Sequence, residues 1–122
     1  MKRDIETRED LGALLREFYK IAVKDEQIGH HFDELDLEGH LPIIVDFWEK
    51  ILFGKAGYFG NPLAVHRILH AKSPLRLTDF QRWFELFSRT VDNLFAGETA
   101  ENAKLRAKMI AHSLNQNLNR AA

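Results

Sequence analysis

At 122 residues the chain has the length of one domain and is long enough to bury roughly two-thirds of the surface its unfolded form exposes. Its 17 basic and 18 acidic side chains are interspersed, so there is neither a basic stripe for nucleic acid nor an acidic tail. It has no cysteine, which excludes disulfides, thiolate metal sites and thiol catalysis and fits a reducing compartment; a cytoplasmic location is the expectation.

The first residues, Met1 to Thr7, are charged and lead into no apolar core, so they do not read as a secretory signal. No uninterrupted apolar run approaches the ~18 residues of a membrane span. Thr7-Arg8-Glu9-Asp10 reads as a helix start, with Thr7 as cap and acidic residues in the first turn. Leu11, Leu14, Leu15, Phe18, Tyr19 and Ala22 then recur at helical spacing and carry the helix to about Val23. Lys24-Asp25-Glu26 reads as a turn. Ile28 to Phe32, with His30 and His31, is a short helical or irregular piece.

Leu35 to Gly39 is a connector. Pro42 belongs in a first turn, which places the start of the next helix near Gly39 and its end near Phe53. That helix is apolar on nearly all sides apart from Asp46, Glu49 and Lys50, so it is expected to be covered on more than one face. A glycine-rich loop, Gly54 to Gly60, runs into a short helix with Asn61 as cap and Pro62 at its first position. Ser73-Pro74 stops it. Thr78-Asp79-Phe80-Gln81 reads as a capping box opening a long helix with Phe80, Trp83, Phe84, Phe87, Val91, Leu94 and Phe95 on one broad face. Gly97 suits the residue just past its end. Thr99 is expected to cap a last helix carrying Ala103, Leu105, Met109, Ile110, Leu114 and Leu118. No alternating strand pattern and no repeat interrupts this order, so the fold class is all-α.

The chemistry centres on His66. It lies in the short helix with Leu63 three residues before it and Leu69 three after, on a largely apolar face. An imidazole there needs a partner. One partner is a haem iron, with the other ring N–H held by a carbonyl of the preceding turn, Pro62 or Leu63. The other reading is a buried structural histidine bonded to backbone. His70, one turn on, makes an i,i+4 pair of the kind found in zinc helices, though no third ligand stands beside it. Nine Phe, two Trp and two Tyr in so small a chain ask for a dense core or for something flat to pack on.

Further residues make the case more specific. They are Phe18-Tyr19, Gly29 followed by Phe32, His40 eight residues before Trp48, and Phe47-Trp48 itself. Tyr58 through Gly60-Asn61-Pro62-Leu63 to His66 follows, then Arg82-Trp83 leading into Leu86-Phe87. With Arg106-Ala107 and Met109-Ile110-Ala111 in the last helix, the order and spacing resemble a truncated haemoglobin of the third group over about residues 9 to 118. The chain has no Gly-Gly pair, which fits that group.

The resemblance implies a two-over-two helical sandwich clamping haem, a single truncated-globin domain spanning residues 1–122. It makes His66 the proximal iron ligand, Tyr19 the distal tyrosine and Trp83 the tryptophan near bound ligand. It makes His40 a distal histidine able to gate the pocket, and Phe32 a ring stacked on the haem. Phe18, Ile44 and Trp48 fall at positions that line or support the distal side, and Leu63 falls beside the proximal histidine. Arg67, Lys72 and Arg76 flank the proximal helix and are the candidate partners of the haem propionates. The implied ligands are O2, CO, NO or cyanide. Nucleic acid and membrane are not expected partners, and an electron-donating reductase is left unidentified. An enzyme on the same haem, peroxidase-like or nitric-oxide-detoxifying, is the alternative function. A haem-free helical adaptor is the third reading.

Overall fold

The computed structural model describes residues 1–120. Its elements in chain order are α1 (Arg8–Ala22), a 3-10 turn (Gly29–Phe32), α2 (Leu37–Phe53), α3 (Pro62–Lys72), α4 (Leu77–Leu94) and α5 (Glu98–Asn119). No strand occurs among the described residues, so the all-α expectation holds.

α1 starts where its local chemistry dictates. Thr7 Oγ1 accepts the Asp10 backbone N–H at 3.1 Å, and Asp10 Oδ2 accepts the Thr7 N–H at 3.0 Å. Two donors left over at a helix start are thereby satisfied reciprocally. α3 is equally local: Asn61 Oδ1 accepts the Ala64 N–H at 3.2 Å, and Pro62 occupies the first helical turn.

Three starts differ from the sequence expectation. α2 begins at Leu37, not near Gly39, because Asp36 caps it by accepting the Gly39 N–H at 3.3 Å. Pro42 then lies inside the helix. Its exposed ring leaves the orphaned carbonyl one turn back facing water, where the loss is tolerable. α4 begins at Leu77, before Thr78. There the Arg76 N–H donates to Asp79 Oδ2 at 3.0 Å, and the Asp79 N–H donates back to the Arg76 carbonyl at 2.9 Å.

α5 is not capped by Thr99. Thr99 is already helical, and its N–H and that of Ala100 donate to the Asp4 carboxylate, each at 2.8 Å. The cap therefore comes from the other end of the chain. Gly97 makes room for it. Its φ is +145°, and a Cβ there would stand 2.4 Å from Asp4. The arm before α1 is fastened at further points. Lys2 Nζ donates to the Asp92 carbonyl at 2.9 Å, the Ala96 N–H donates to the Arg3 carbonyl at 3.0 Å, and Arg3 pairs with Asp10. Ile5 is buried in the core.

α1 packs on α2 and on α4, and α4 packs on α5. The main core joins Leu11, Leu14, Leu15 and Phe18 of α1 to Val45 and Trp48 of α2 and Leu86, Phe87 and Val91 of α4. α5 contributes the small residues Ala100, Ala103 and Ala107 to this core, with Ile110 packed against it, and Ala111 and Leu114 to a second cluster. Leu105 and Met109 are 55 % and 52 % exposed. Small residues let α4 and α5 approach closely, and the aromatic rings of α4 supply the volume. Glu49, expected as a polar exception on α2, is 8 % exposed and is paired there with Arg8.

α3 is different. None of its residues is fully buried, and its neighbour is α5. Its inward side chains Leu63 and Leu69 join a second cluster with Leu75, Phe80, Ala111 and Leu114, while Val65 and Ile68 are exposed. The helix that carries His66 is thus held over the molecule rather than sealed into it.

Candidate functional site

The α3 cap fixes where His66 starts from, and its own turn fixes the ring. Nδ1 lies 2.7 Å from the Pro62 carbonyl oxygen. A carbonyl only accepts, so Nδ1 carries the proton and the neutral ring keeps its Nε2 lone pair. Among the described residues nothing bonds to Nε2. Burial lowers the His66 pKa, with the Pro62 carbonyl pulling the other way, and this favours the neutral form a metal requires. His70 is differently employed. Its Nδ1 accepts the Leu75 N–H at 2.9 Å and ties the end of α3 to the segment before α4. No group of three or more metal-ligating side chains occurs among the described residues.

A continuous file of rings runs from the 3-10 turn through α1 to α4. Phe32 meets Tyr19 edge-on at 5.6 Å, Tyr19 meets Phe18 at 5.0 Å, and Phe18 meets Trp83 at 6.0 Å. Trp83 belongs to both apolar clusters and so links this file to the one beneath Leu63 and Leu69. Neither the Tyr19 hydroxyl nor the Trp83 indole N–H has a hydrogen-bond partner among the described residues, and neither atom is sealed from solvent. Half-buried aromatic residues usually find a partner for their polar tip. Here two donors are held ready with none. Desolvation pushes the Tyr19 phenol up to about 12, so it stays a donor at any ordinary pH.

The remaining candidates divide by burial. Phe18 and Trp48 are fully buried; they brace the site from behind rather than line it. Phe32 and Ile44 are half-buried, packed against the main core, and Leu63 packs on the second cluster. His40 is exposed near the start of α2. Arg67, Lys72 and Arg76 are all exposed. Lys72 bonds Glu34 at 2.8 Å, whereas the guanidinium groups of Arg67 and Arg76 have no acidic partner among the described residues.

Sequence reasoning did not find the groups that hold Phe32 in place. Asp25 accepts from Arg82 Nη2 at 2.8 Å, and Gln27 Nε2 donates to the Thr78 carbonyl at 2.8 Å. His31 Nε2 lies 3.5 Å from Asp79. Gly29 permits the turn itself, since a Cβ would stand 2.7 Å from the Val23 carbonyl oxygen. These pairs span the chain from the end of α1 to the start of α4, and no local spacing announces them.

Two surface clefts of about 230 and 270 Å³ contain none of these residues. The first lies between α1 and α2 beside Arg16 and Pro42, and the second lies at the end of α5. The residues present fit a haem for another reason. A histidine nitrogen is free on α3, two unpartnered donors stand on α1 and α4, and half-buried apolar side chains lie around them.

No family model matches the chain. In sequence it is 28 % identical over 117 residues to "Group 3 truncated hemoglobin ctb" of Campylobacter jejuni subsp. jejuni serotype O:2, covering 91 % of this chain and 90 % of that protein. In structure it matches the crystal structure of a group III truncated hemoglobin from Campylobacter jejuni, with a TM-score of 0.84 and 27 % identity. That match covers 97 % of this chain and 95 % of the other. The resemblance read from the residues therefore holds in sequence and in fold.

Proposed function

We infer, for a chain with the truncated-globin fold that is similar throughout to a group 3 truncated haemoglobin, that it holds haem and reversibly binds O2 or another diatomic ligand at the iron. The observation that carries this reading is His66, its Nδ1 committed to the Pro62 carbonyl and its Nε2 free to bind iron. The haem, when bound, supplies the metal at which O2, CO, NO or cyanide coordinates.

The chain's own residues do the rest. Pro62 holds the His66 ring in one tautomer and one orientation. Tyr19 and Trp83 donate hydrogen bonds to the ligand, and a bond to the partial negative charge of bound O2 is charge-assisted. Phe18 braces both rings that carry those donors, and Trp48 supports Trp83 through Phe87. The half-buried Phe32, Ile44 and Leu63 would give the haem apolar contact and exclude water. Arg67 and Arg76, and Lys72 if released from Glu34, would be the cations for its propionates. His40, being exposed, meets the ligand on its way in rather than at the iron.

No helix among the described residues is long and apolar enough to cross a membrane. The cysteine-free composition fits a reducing, cytoplasmic site of action, where an electron donor, unidentified, would keep the iron ferrous. A second reading, peroxidase-like or nitric-oxide-detoxifying chemistry, draws on the same two donors, which can polarise a bound peroxide or O2.

The deciding experiment is an absorption spectrum of the full chain reconstituted with haem, oxidised, then reduced under carbon monoxide. A Soret band that moves on reduction and with carbon monoxide is expected, with His66→Ala losing haem readily. A colourless protein, or a His66→Ala variant that retains haem as the parent does, overturns the reading.

A further inference from the structure

We propose that Trp83, Phe87, Trp48, Phe47 and Tyr58 form a relay carrying oxidising equivalents from the haem pocket to Tyr58 at the surface, where an aromatic one-electron donor, a phenol or an aryl amine, is oxidised. The proposal rests on the haem reading above and names a function for the aromatic residues beyond ligand binding.

The geometry is that of a stack with a tail. Trp83 and Phe87 lie 5.4 Å apart with planes 14° from parallel. Phe87 and Trp48 lie 5.0 Å apart, also at 14°. Three rings are therefore stacked nearly parallel and offset, whereas the other aromatic ring pairs in the core meet edge-on. From Trp48 the path turns through Phe47 at 5.6 Å to Tyr58 at 5.3 Å.

Tryptophan and tyrosine are the side chains here that give up one electron readily, and phenylalanine only bridges between them. The chain has two Trp and two Tyr, and three of those four lie on this path. One phenylalanine separates each oxidisable ring from the next.

Geometry picks the terminus. Tyr19 lies off the stack, meeting Phe18 and Phe32 edge-on, whereas the path through Trp48 and Phe47 ends on Tyr58. A phenol oxidised near neutral pH must shed its proton with its electron. Tyr58 is part-exposed in the loop between α2 and α3, so water takes its proton. Phe59 beside it is 93 % exposed and offers an apolar foothold for an aromatic donor.

The electron balance closes with a hydroperoxide as oxidant. Hydrogen peroxide takes two electrons and two protons to give two waters. Each electron leaves by way of Trp83, is replaced from Trp48, and is replaced there from Tyr58, whose O–H proton passes to solvent. A donor then returns one hydrogen atom to Tyr58. Two donors are consumed per peroxide, each leaving as a one-electron-oxidised product.

Two measurements test the relay. In the first, the haem-loaded full chain receives hydrogen peroxide with a nitroso spin trap, and the adduct is mapped by peptide mass spectrometry. The adduct is expected on Tyr58 and is expected to be lost in Trp48→Phe, which keeps an aromatic ring in the core. An adduct confined to Tyr19, or one on Tyr58 undiminished in Trp48→Phe, overturns the relay. The second needs no peroxide. Azidyl radicals from pulse radiolysis oxidise tryptophan in the full chain, and the tryptophanyl signal is followed into tyrosyl. Conversion is expected at a rate independent of protein concentration, retained in Tyr19→Phe and abolished in Tyr58→Phe. The reverse pattern, or no conversion, overturns it. The two readings fail separately. Absence of a Soret band sinks the haem reading, whereas a haem-binding chain whose tryptophanyl radical never reaches Tyr58 sinks the relay alone.

Discussion

The His66 imidazole and the Pro62 carbonyl, 2.7 Å apart, are one helical turn from each other on α3. The residue that can start this helix, by virtue of its missing N–H, also supplies the acceptor that orients the ring. Starting the helix and orienting the ring are thus one local arrangement. It persists whether or not the space next to α3 is filled, because it depends on nothing outside α3.

Tyr19 gives the sharpest functional prediction. Tyr19→Phe removes a charge-assisted hydrogen bond, of a kind worth about 1.5–3 kcal/mol, so O2 should dissociate roughly tenfold faster or more by stopped-flow measurement. The parent's dissociation rate should show no titration of this group between neutral and mildly alkaline pH. Folding raises the phenol from 10.0 to about 12, so its donor form is lost only as pH climbs through that higher value. By the same sign, its contribution to stability is fully present below 10.0 and disappears on the way to 12.

The Asp4 cap predicts an effect on stability with no change in the site. Asp4→Ala should cost about 0.5–2 kcal/mol in urea unfolding, the usual range for losing a cap. Gly97→Ala should cost about 1–3 kcal/mol, because the positive φ is strained for alanine and its Cβ would meet Asp4. The two effects should not add, since both variants break the same contact.

Acid sensitivity should be traceable to Asp25. Its hydrogen bonds to the Arg82 guanidinium hold the carboxyl below its usual 3.8, helped by the Ile28 and Gln27 N–H groups and opposed by burial. A carboxyl lowered by folding stabilises fully above 3.8 and loses that contribution as pH falls through its folded value. Asp25→Asn should therefore be less stable than the parent at pH 7, and the gap should narrow as unfolding is measured at successively lower pH below 3.8.

His70 should matter to the fold and not to the iron. His70→Ala strands the Leu75 N–H, and an unpaired backbone donor of this kind costs about 1–3 kcal/mol. Thermal unfolding should move to lower temperature. The Soret maximum of the reconstituted protein should stay where it is, a result that a metal-ligand role for His70 would not give.

The legible features were those settled within one turn of chain. Thr7 with Asp10, and Asn61 with Pro62, could be read directly because cap and capped group lie three residues apart. The iron-side carbonyl could be narrowed to two candidates for the same reason. The α2 start was misplaced because Pro42 is a strong negative signal for a helix interior, and here an exposed position softens its cost. The α5 cap could not be found at all, since Asp4 reaches it across 95 residues of sequence. In α5 the apolar residues alone do not say which side faces inward: Leu105 and Met109 are exposed, and Ala103, Ala107, Ala111 and Leu114 are buried. On the site, residue types pointed to Tyr19 and Trp83, but that their polar tips lack partners is a fact of packing, which no spacing encodes.

The arm from Lys2 to Asp4 has a consequence for biosynthesis. Its carboxylate waits for amides at Thr99 and Ala100, which leave the ribosome 95 and 96 residues after it. The opening residues can therefore be locked only once the final helix has emerged, so this join must be a late event in folding. Until then Ile5 has no finished core to enter, and a nascent chain stalled before Thr99 would present its N-terminal segment to proteases that the completed protein resists.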